Sequence, residues 1–263
     1  MNIDLGEFLS YINSFIYPFF RVLGFFLTAP ILNFTNIYNK VKIGLALVIT
    51  FALAPILGLT YQNTTELFSY KSYILLALEF TVGLSLGFIM QMFFQLFVFG
   101  GKVTATAAFL GFAEVNDASS AGGGSGNSMS LFGQIYLIMV YLIYLALDGH
   151  LLLINILQSS FNMINVAGLT LDQSIFWKIV SFGYYIFAGG LLLAIPAVIA
   201  LLIVNITLGV ITKVAPQLNL FAVGFPAMLI IGLIILLISL GGVSDYFIRY
   251  SGDLLNVIEN IFK

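Results

Sequence analysis

The chain has no cysteine, which excludes disulfides, thiol nucleophiles and thiolate metal sites and leaves the redox compartment unread. It has one histidine, His150, so a histidine-rich zinc site cannot be assembled from it. Charge is equally scarce: Lys, Arg, Asp and Glu make up 8% of residues and the net charge is -2. Nothing forms a basic patch, which argues against nucleic acid as a partner. No HExxH, P-loop or GxGxxG run occurs, no Ser-His-Asp order is recognisable, and no pair of aspartates sits within apolar segments to suit intramembrane proteolysis. These absences argue against an enzyme, and no cofactor or metal is expected. Asp4 and Glu7 precede the first basic residue, Arg21. The positive n-region of a cleavable signal is therefore missing, and the first apolar segment is expected to stay in the chain.

What remains is apolar. Hydrophobic residues make up 61% of the chain and the mean hydropathy is +1.10, whereas a soluble domain carries about 25% charged residues. The composition is that of an integral membrane protein. Apolar segments run over 8–32, 43–59, 73–101, 131–147, 151–164, 179–212 and 218–243, with a shorter piece over 103–113 and an amphipathic tail to Lys263. In lipid the backbone must satisfy its own hydrogen bonds, so segments of this length read as helices. The expectation is an all-α membrane protein with about six long hydrophobic helices arranged in hairpins.

The stretch 179–212 holds no charge. Its roughly 34 residues would make a helix about 51 Å long at about 1.5 Å per residue, against a hydrocarbon core of about 30 Å. Either it projects beyond the lipid or it breaks, at Gly189-Gly190 or Pro196. Orientation is hardly legible, because the connectors carry only one or two lysines each: Lys40 and Lys42, Lys71, Lys102, Lys213.

Arg21 and Glu79 lie within apolar segments, where an ionisable group costs several kcal/mol or more unless paired or wet. One reading is a proton or ion relay; the other is an interhelical ion pair that fixes packing. Gly83 and Gly87 form a small-xxx-small pair that lets two helices approach closely. With Glu79, Gln91 and Gln95 they make a row at spacing four, which drifts around a straight helix by about 40° per step and suits a helix that crosses its neighbours at an angle. Phe88, Met90, Met92, Phe93, Phe94, Phe97 and Phe99 form a dense cluster that would serve either as a soft constriction or as core. His150 follows Asp148-Gly149 and is expected to cap a turn. The longest polar run is 114–130, EVNDASSAGGGSGNSMS, where Gly122, Gly123 and Gly124 leave the backbone free to adopt positive φ. It is either a solvated connector or a moving part.

The segment 205–226, NITLGVITKVAPQLNLFAVGFP, resembles the signature of the FliR/SctT family of type III export-gate proteins. The resemblance rests on Lys213-Val214-Ala215-Pro216-Gln217-Leu218 and Val223-Gly224-Phe225-Pro226. Arg21-Val22-Leu23, Thr28-Ala29-Pro30-Ile31-Leu32, Val41-Lys42-Ile43-Gly44-Leu45-Ala46, Gly87-Phe88 with Met90-Gln91, and Asp148-Gly149-His150 agree in order along nearly the whole chain. The Val-Gly-Phe-Pro ending leans to the flagellar branch.

The resemblance implies a non-enzymatic core subunit of the gate. Such a chain sits as a single copy in a helical complex with several FliP-like and FliQ-like proteins, joined by an FlhB-like protein, in the bacterial inner membrane at the flagellum basal body. That complex forms the gated pore through which unfolded export substrates leave the cytoplasm. The chain divides by this analogy into a FliP-like part, 1–170, with a central plug loop over 109–130, and a FliQ-like hairpin with its amphipathic tail, 171–263. The hairpin turn is placed at Pro216 and Gln217, with Pro226 just beyond. Phe112, Ala113 and Asp117 follow the family pattern of the plug. The chain then departs from it, having Asp117-Ala118 where the family commonly has Asp-Pro, and the loss of proline frees φ. Phe109, Leu110 and Phe112 are expected to form the hydrophobic seal, with the glycine run either a hinge or an inert tip. The rival reading is an independent solute or ion carrier with Arg21 and Glu79 at its midplane site; a third is a membrane scaffold.

Overall fold

A computed structural model of the chain describes residues 5–30, 38–57, 69–108, 131–164, 173–215 and 224–262. Those residues form seven helices: α1 Leu5–Thr28, α2 Asn39–Leu57, α3 Tyr70–Ala107, α4 Leu131–Ala146, α5 Gly149–Met163, α6 Gln173–Val214 and α7 Phe225–Phe262. The all-helical membrane class is as the composition requires. Among the described residues three helical stretches are long and apolar enough to cross a bilayer alone, Tyr70–Ala107, Trp177–Val214 and Pro226–Gly252, and the broken pair α4 and α5 supplies a fourth if it counts as one span.

About six long helices are expected from the sequence; among the described residues there are seven helices, of which three or four are spanning candidates, and their bounds differ from the apolar segments in three places. Lys102 does not end a segment: it lies exposed on α3, which runs unbroken from Tyr70 to Ala107 and takes in the first residues, 103–107, of the separate piece expected over 103–113. A lone lysine costs a helix nothing when its ammonium reaches solvent or the interface. Of the two alternatives left open for the charge-free stretch, the structure takes the unbroken helix. α6 is one helix of 42 residues with Pro196 inside it, about 63 Å at about 1.5 Å per residue. Missing proline hydrogen bonds are tolerated where neighbouring groups take up the freed carbonyls. The amphipathic tail is not a separate element, because α7 continues through it to Phe262. Pro226 stands in the first turn of α7, where a proline removes no intrahelical bond.

The chain forms two compact units. The first comprises Met1–Met92, Asp148–Ser181 and Leu255–Lys263. In it α1 packs on α2, and α1 and α3 lie side by side in parallel, since Arg21 meets Glu79 and Gly83 while Thr28 meets Leu84 and Gly87. The second comprises Phe93–Leu147 and Phe182–Leu254. There α6 and α7 run antiparallel: the Tyr246 hydroxyl donates to the Leu192 carbonyl at 3.4 Å, and Leu201 packs with Met228 and Ala108 in a buried cluster.

The turn between α4 and α5 is made by Asp148, which holds a left-handed backbone at φ 53°. The Asp148 side chain makes no capping hydrogen bond; His150 lies exposed in the first turn of α5. The glycine that follows would take that conformation without strain, so the left-handed site falls one residue earlier than the composition suggests.

Candidate functional site

The most heavily built polar site lies in the first unit. Arg21 on α1 is wholly buried, and so is Glu79 on α3. Arg21 Nε donates to Glu79 Oε2 at 2.5 Å. Its other nitrogens reach the end of α5: Nη1 donates to the Ser160 carbonyl at 2.8 Å and lies 3.4 Å from the Ser160 hydroxyl, and Nη2 donates to the Ile164 carbonyl at 3.1 Å. The guanidinium carbon sits 4.3 Å above the Phe161 ring centroid, a cation–π contact. One cation on α1 thus ties three helices together, its donor fork spread over α3 and the end of α5.

Close helix approach makes this geometry possible. A Cβ on Gly83 would fall 2.9 Å from the Arg21 carbonyl carbon and 3.0 Å from the Phe25 amide nitrogen. One on Gly87 would fall 2.6 Å from the Phe25 carbonyl oxygen. Glycine is required at both positions because backbone meets backbone there. Gly24 completes the contact from α1, and the Thr28 hydroxyl donates across to the Leu84 carbonyl at 3.1 Å. The Gly24-x-x-x-Thr28 spacing is the signal in the sequence for the matching small-residue face on α1. Phe161, Ser160 and Ile164 carried no such signal, because two of them contribute backbone oxygens.

The second unit has a different character. Phe93, Phe94 and Phe97 are buried and form ring contacts with Tyr141, Tyr144 and Phe247 at centroid distances of 5.0 to 6.5 Å. Of the cluster read from the sequence, these three are core, as is Met90 of the first unit, whereas Phe88 is exposed. Phe99 stacks edge-on with Phe187 at 5.2 Å. Gly189 and Gly190 form a notch: a Cβ on Gly190 would fall 2.7 Å from the Leu96 carbonyl oxygen. The pair considered above as a breaking point is a packing surface for α3.

Phe109, Leu110, Phe112, Asp117, Gly122, Gly123 and Gly124, and the turn residues Pro216 and Gln217, lie outside the described residues. Among the described residues no group of His, Asp or Glu is placed to hold a metal ion.

The chain matches the family model of bacterial export proteins, family 1, over residues 12–254. It belongs to that family. The match takes in Arg21, Glu79, Gly83, Gly87 and the whole 109–130 segment. Relatives in the family are similar over most of their length. The chain is 31% identical over 263 residues to the flagellar biosynthetic protein FliR of Escherichia coli K12, covering 100% of this chain and 98% of that protein. It is 35% identical over 230 residues to FliR of Pectobacterium carotovorum, covering 88% and 85%, and 29% identical over 253 residues to FliR of Aquifex aeolicus, covering 95% and 94%.

Proposed function

We propose that this chain is the FliR-type subunit of a flagellar protein export apparatus in the bacterial inner membrane, and that with FliP-like and FliQ-like chains it forms the gated pore for unfolded flagellar proteins. An FlhB-like protein is the expected fourth partner. The observation that carries the proposal is the similarity to FliR of Escherichia coli over the full length of this chain and 98% of that protein. The protein is a membrane-embedded export component, and its role is structural rather than enzymatic.

Physical features support an assembled subunit. The span within α6, Trp177–Val214, has 38 residues, about 57 Å at about 1.5 Å per residue. Trp177 is 73% exposed at one end and Val214 is 79% exposed at the other, with apolar side chains exposed between them. A hydrocarbon core of about 30 Å covers only part of that length, so the remainder calls for protein neighbours. On this reading residues 1–170 form the FliP-like part, and α6 and α7 the FliQ-like hairpin turning at Pro216 and Gln217. Phe109, Leu110 and Phe112 seal the idle pore by excluding water, and Gly122, Gly123 and Gly124 let the loop swing aside. The carrier alternative loses its polar midplane, because Arg21 and Glu79 are closed on each other at zero exposure.

Purification of the tagged chain from native membranes in mild detergent tests the assembly. Recovery with FliP-like and FliQ-like proteins in one large complex is the expected result; recovery alone as a stable monomer would overturn it. Within that complex, Phe109→Ser combined with Phe112→Ser is expected to raise ion leak through the idle gate. Unchanged conductance would remove the seal.

A further inference from the structure

We propose that Arg21 is a latch for the carbonyl end of α5, and that Glu79 serves to aim it. An ion pair alone would need only Glu79. Here Arg21 gives one N–H to Glu79 and points its remaining edge at the Ser160 and Ile164 carbonyls.

Those carbonyls lie at the end of α5, and that of Ile164, the C-cap, has no intrahelical donor left to it. The last turn of any helix leaves carbonyls unpaired, and α5 ends at Met163, with Ile164 in an extended conformation at φ -111°, ψ 94°. The Ile164 amide closes back on the Ser160 carbonyl at 2.9 Å, so that oxygen takes both the final backbone bond and Arg21 Nη1. Ser160 and Ile164 are both buried, which puts water out of reach as a substitute partner. The negative end of the helix dipole further favours a cation at this place. The Phe161 ring lies against the guanidinium on the same stretch of chain. Arg21 is therefore a positioning residue. It decides where α5 stops.

The charge-swapped variant separates a latch from a simple ion pair. Arg21→Glu with Glu79→Arg restores opposite charges across α1 and α3. It cannot restore donors to two carbonyl oxygens, and it sets a carboxylate against them. A pair role predicts rescue by the swap; a latch predicts none. Arg21→Lys keeps the charge but replaces the planar fork with a single nitrogen, and is expected to fall between.

The absence of cysteine makes the readout clean. A single reporter cysteine is placed at Ile164, at the latch, or at Ile156, two turns earlier in α5; both positions are 2% exposed. The full chain is labelled with a maleimide in native membranes, which does not depend on the export role. Arg21→Ala is expected to speed labelling at position 164 by at least about a hundredfold, the lower end of what losing two hydrogen bonds from a charged donor implies, while position 156 stays protected. The swapped pair should label at 164 like Arg21→Ala, and Arg21→Lys at an intermediate rate. Should Arg21→Ala prevent folding, the Lys and swapped variants carry the comparison. Protection of position 164 in the swapped chain would overturn the latch in favour of the pair. Equal exposure of 156 and 164 in the Lys variant, or no change at 164 in any variant, would overturn it as well.

Discussion

Around Arg21, hydrogen bonds to Glu79, Ser160 and Ile164 converge on one buried guanidinium, and the glycines beside it leave no room for a methyl group. Around Phe94 and Phe97, buried rings meet Tyr141, Tyr144 and Phe247 at ordinary aromatic distances. Both regions are as buried as protein interiors become, yet they are organised by opposite chemistry. The first is directional, because each nitrogen of the guanidinium has an acceptor within reach. The second is non-directional and tolerates repacking of equal volume. The contrast shows where this chain spends its specificity: at the junction of α1, α3 and α5 rather than in the aromatic cluster.

The largest effect should come from breaking the first region. Glu79→Ala leaves Arg21 charged and buried without its carboxylate, and losing one partner of a buried pair costs about 3–5 kcal/mol. The expected outcome is a fall in the amount of intact chain in the membrane, together with a lower thermal midpoint of the detergent-solubilised complex. Retention of parental stability would mean that the carbonyls and Phe161 hold Arg21 unaided.

Phe97→Leu tests the other side of the comparison with a smaller expected change. Phe97 is fully buried, with Phe93 at 5.6 Å and Phe247 at 5.9 Å. A swap that keeps apolar character and most of the volume should cost less than about 1.5 kcal/mol, read in the same thermal assay. A loss equal to that of Glu79→Ala would show that the cluster is as specified as the Arg21 junction.

The smallest change has the opposite sign. The Tyr144 hydroxyl is buried and has no hydrogen-bond partner among the described residues. A buried polar group without a partner is penalised by roughly 1–3 kcal/mol, so Tyr144→Phe should stabilise the isolated chain by about 1 kcal/mol or leave it unchanged. A clear loss of stability would show that the hydroxyl is bonded in the assembled protein.

Much of this was legible from one dimension. The Gly83 and Gly87 spacing named a helix contact, and the cost of charge in lipid named Arg21 and Glu79 as residues needing partners. Which partners could not be read. Arg21 is 58 positions from Glu79 and 139 from Ser160, and two of its acceptors are backbone oxygens that every residue carries. The aromatic cluster was equally ambiguous, since a run of Phe and Met looks the same whether it lines a pore, faces lipid or fills a core. The plug and hairpin-turn residues rest on the resemblance to relatives.

The sequence by itself determined the membrane class, the helical backbone and the family, because hydropathy and motif order are properties of the chain read in line. Tertiary structure decided the rest. It let α3 run past Lys102 and α6 past Pro196, because exposure of one ammonium and close neighbours offset what a lone helix would lose. It turned Gly189-Gly190 from a candidate break into a notch for Leu96, and it made the Arg21–Glu79 pair part of a three-helix junction. Each of these outcomes depends on which surfaces meet, and contact between distant segments is set by packing in three dimensions rather than by local sequence.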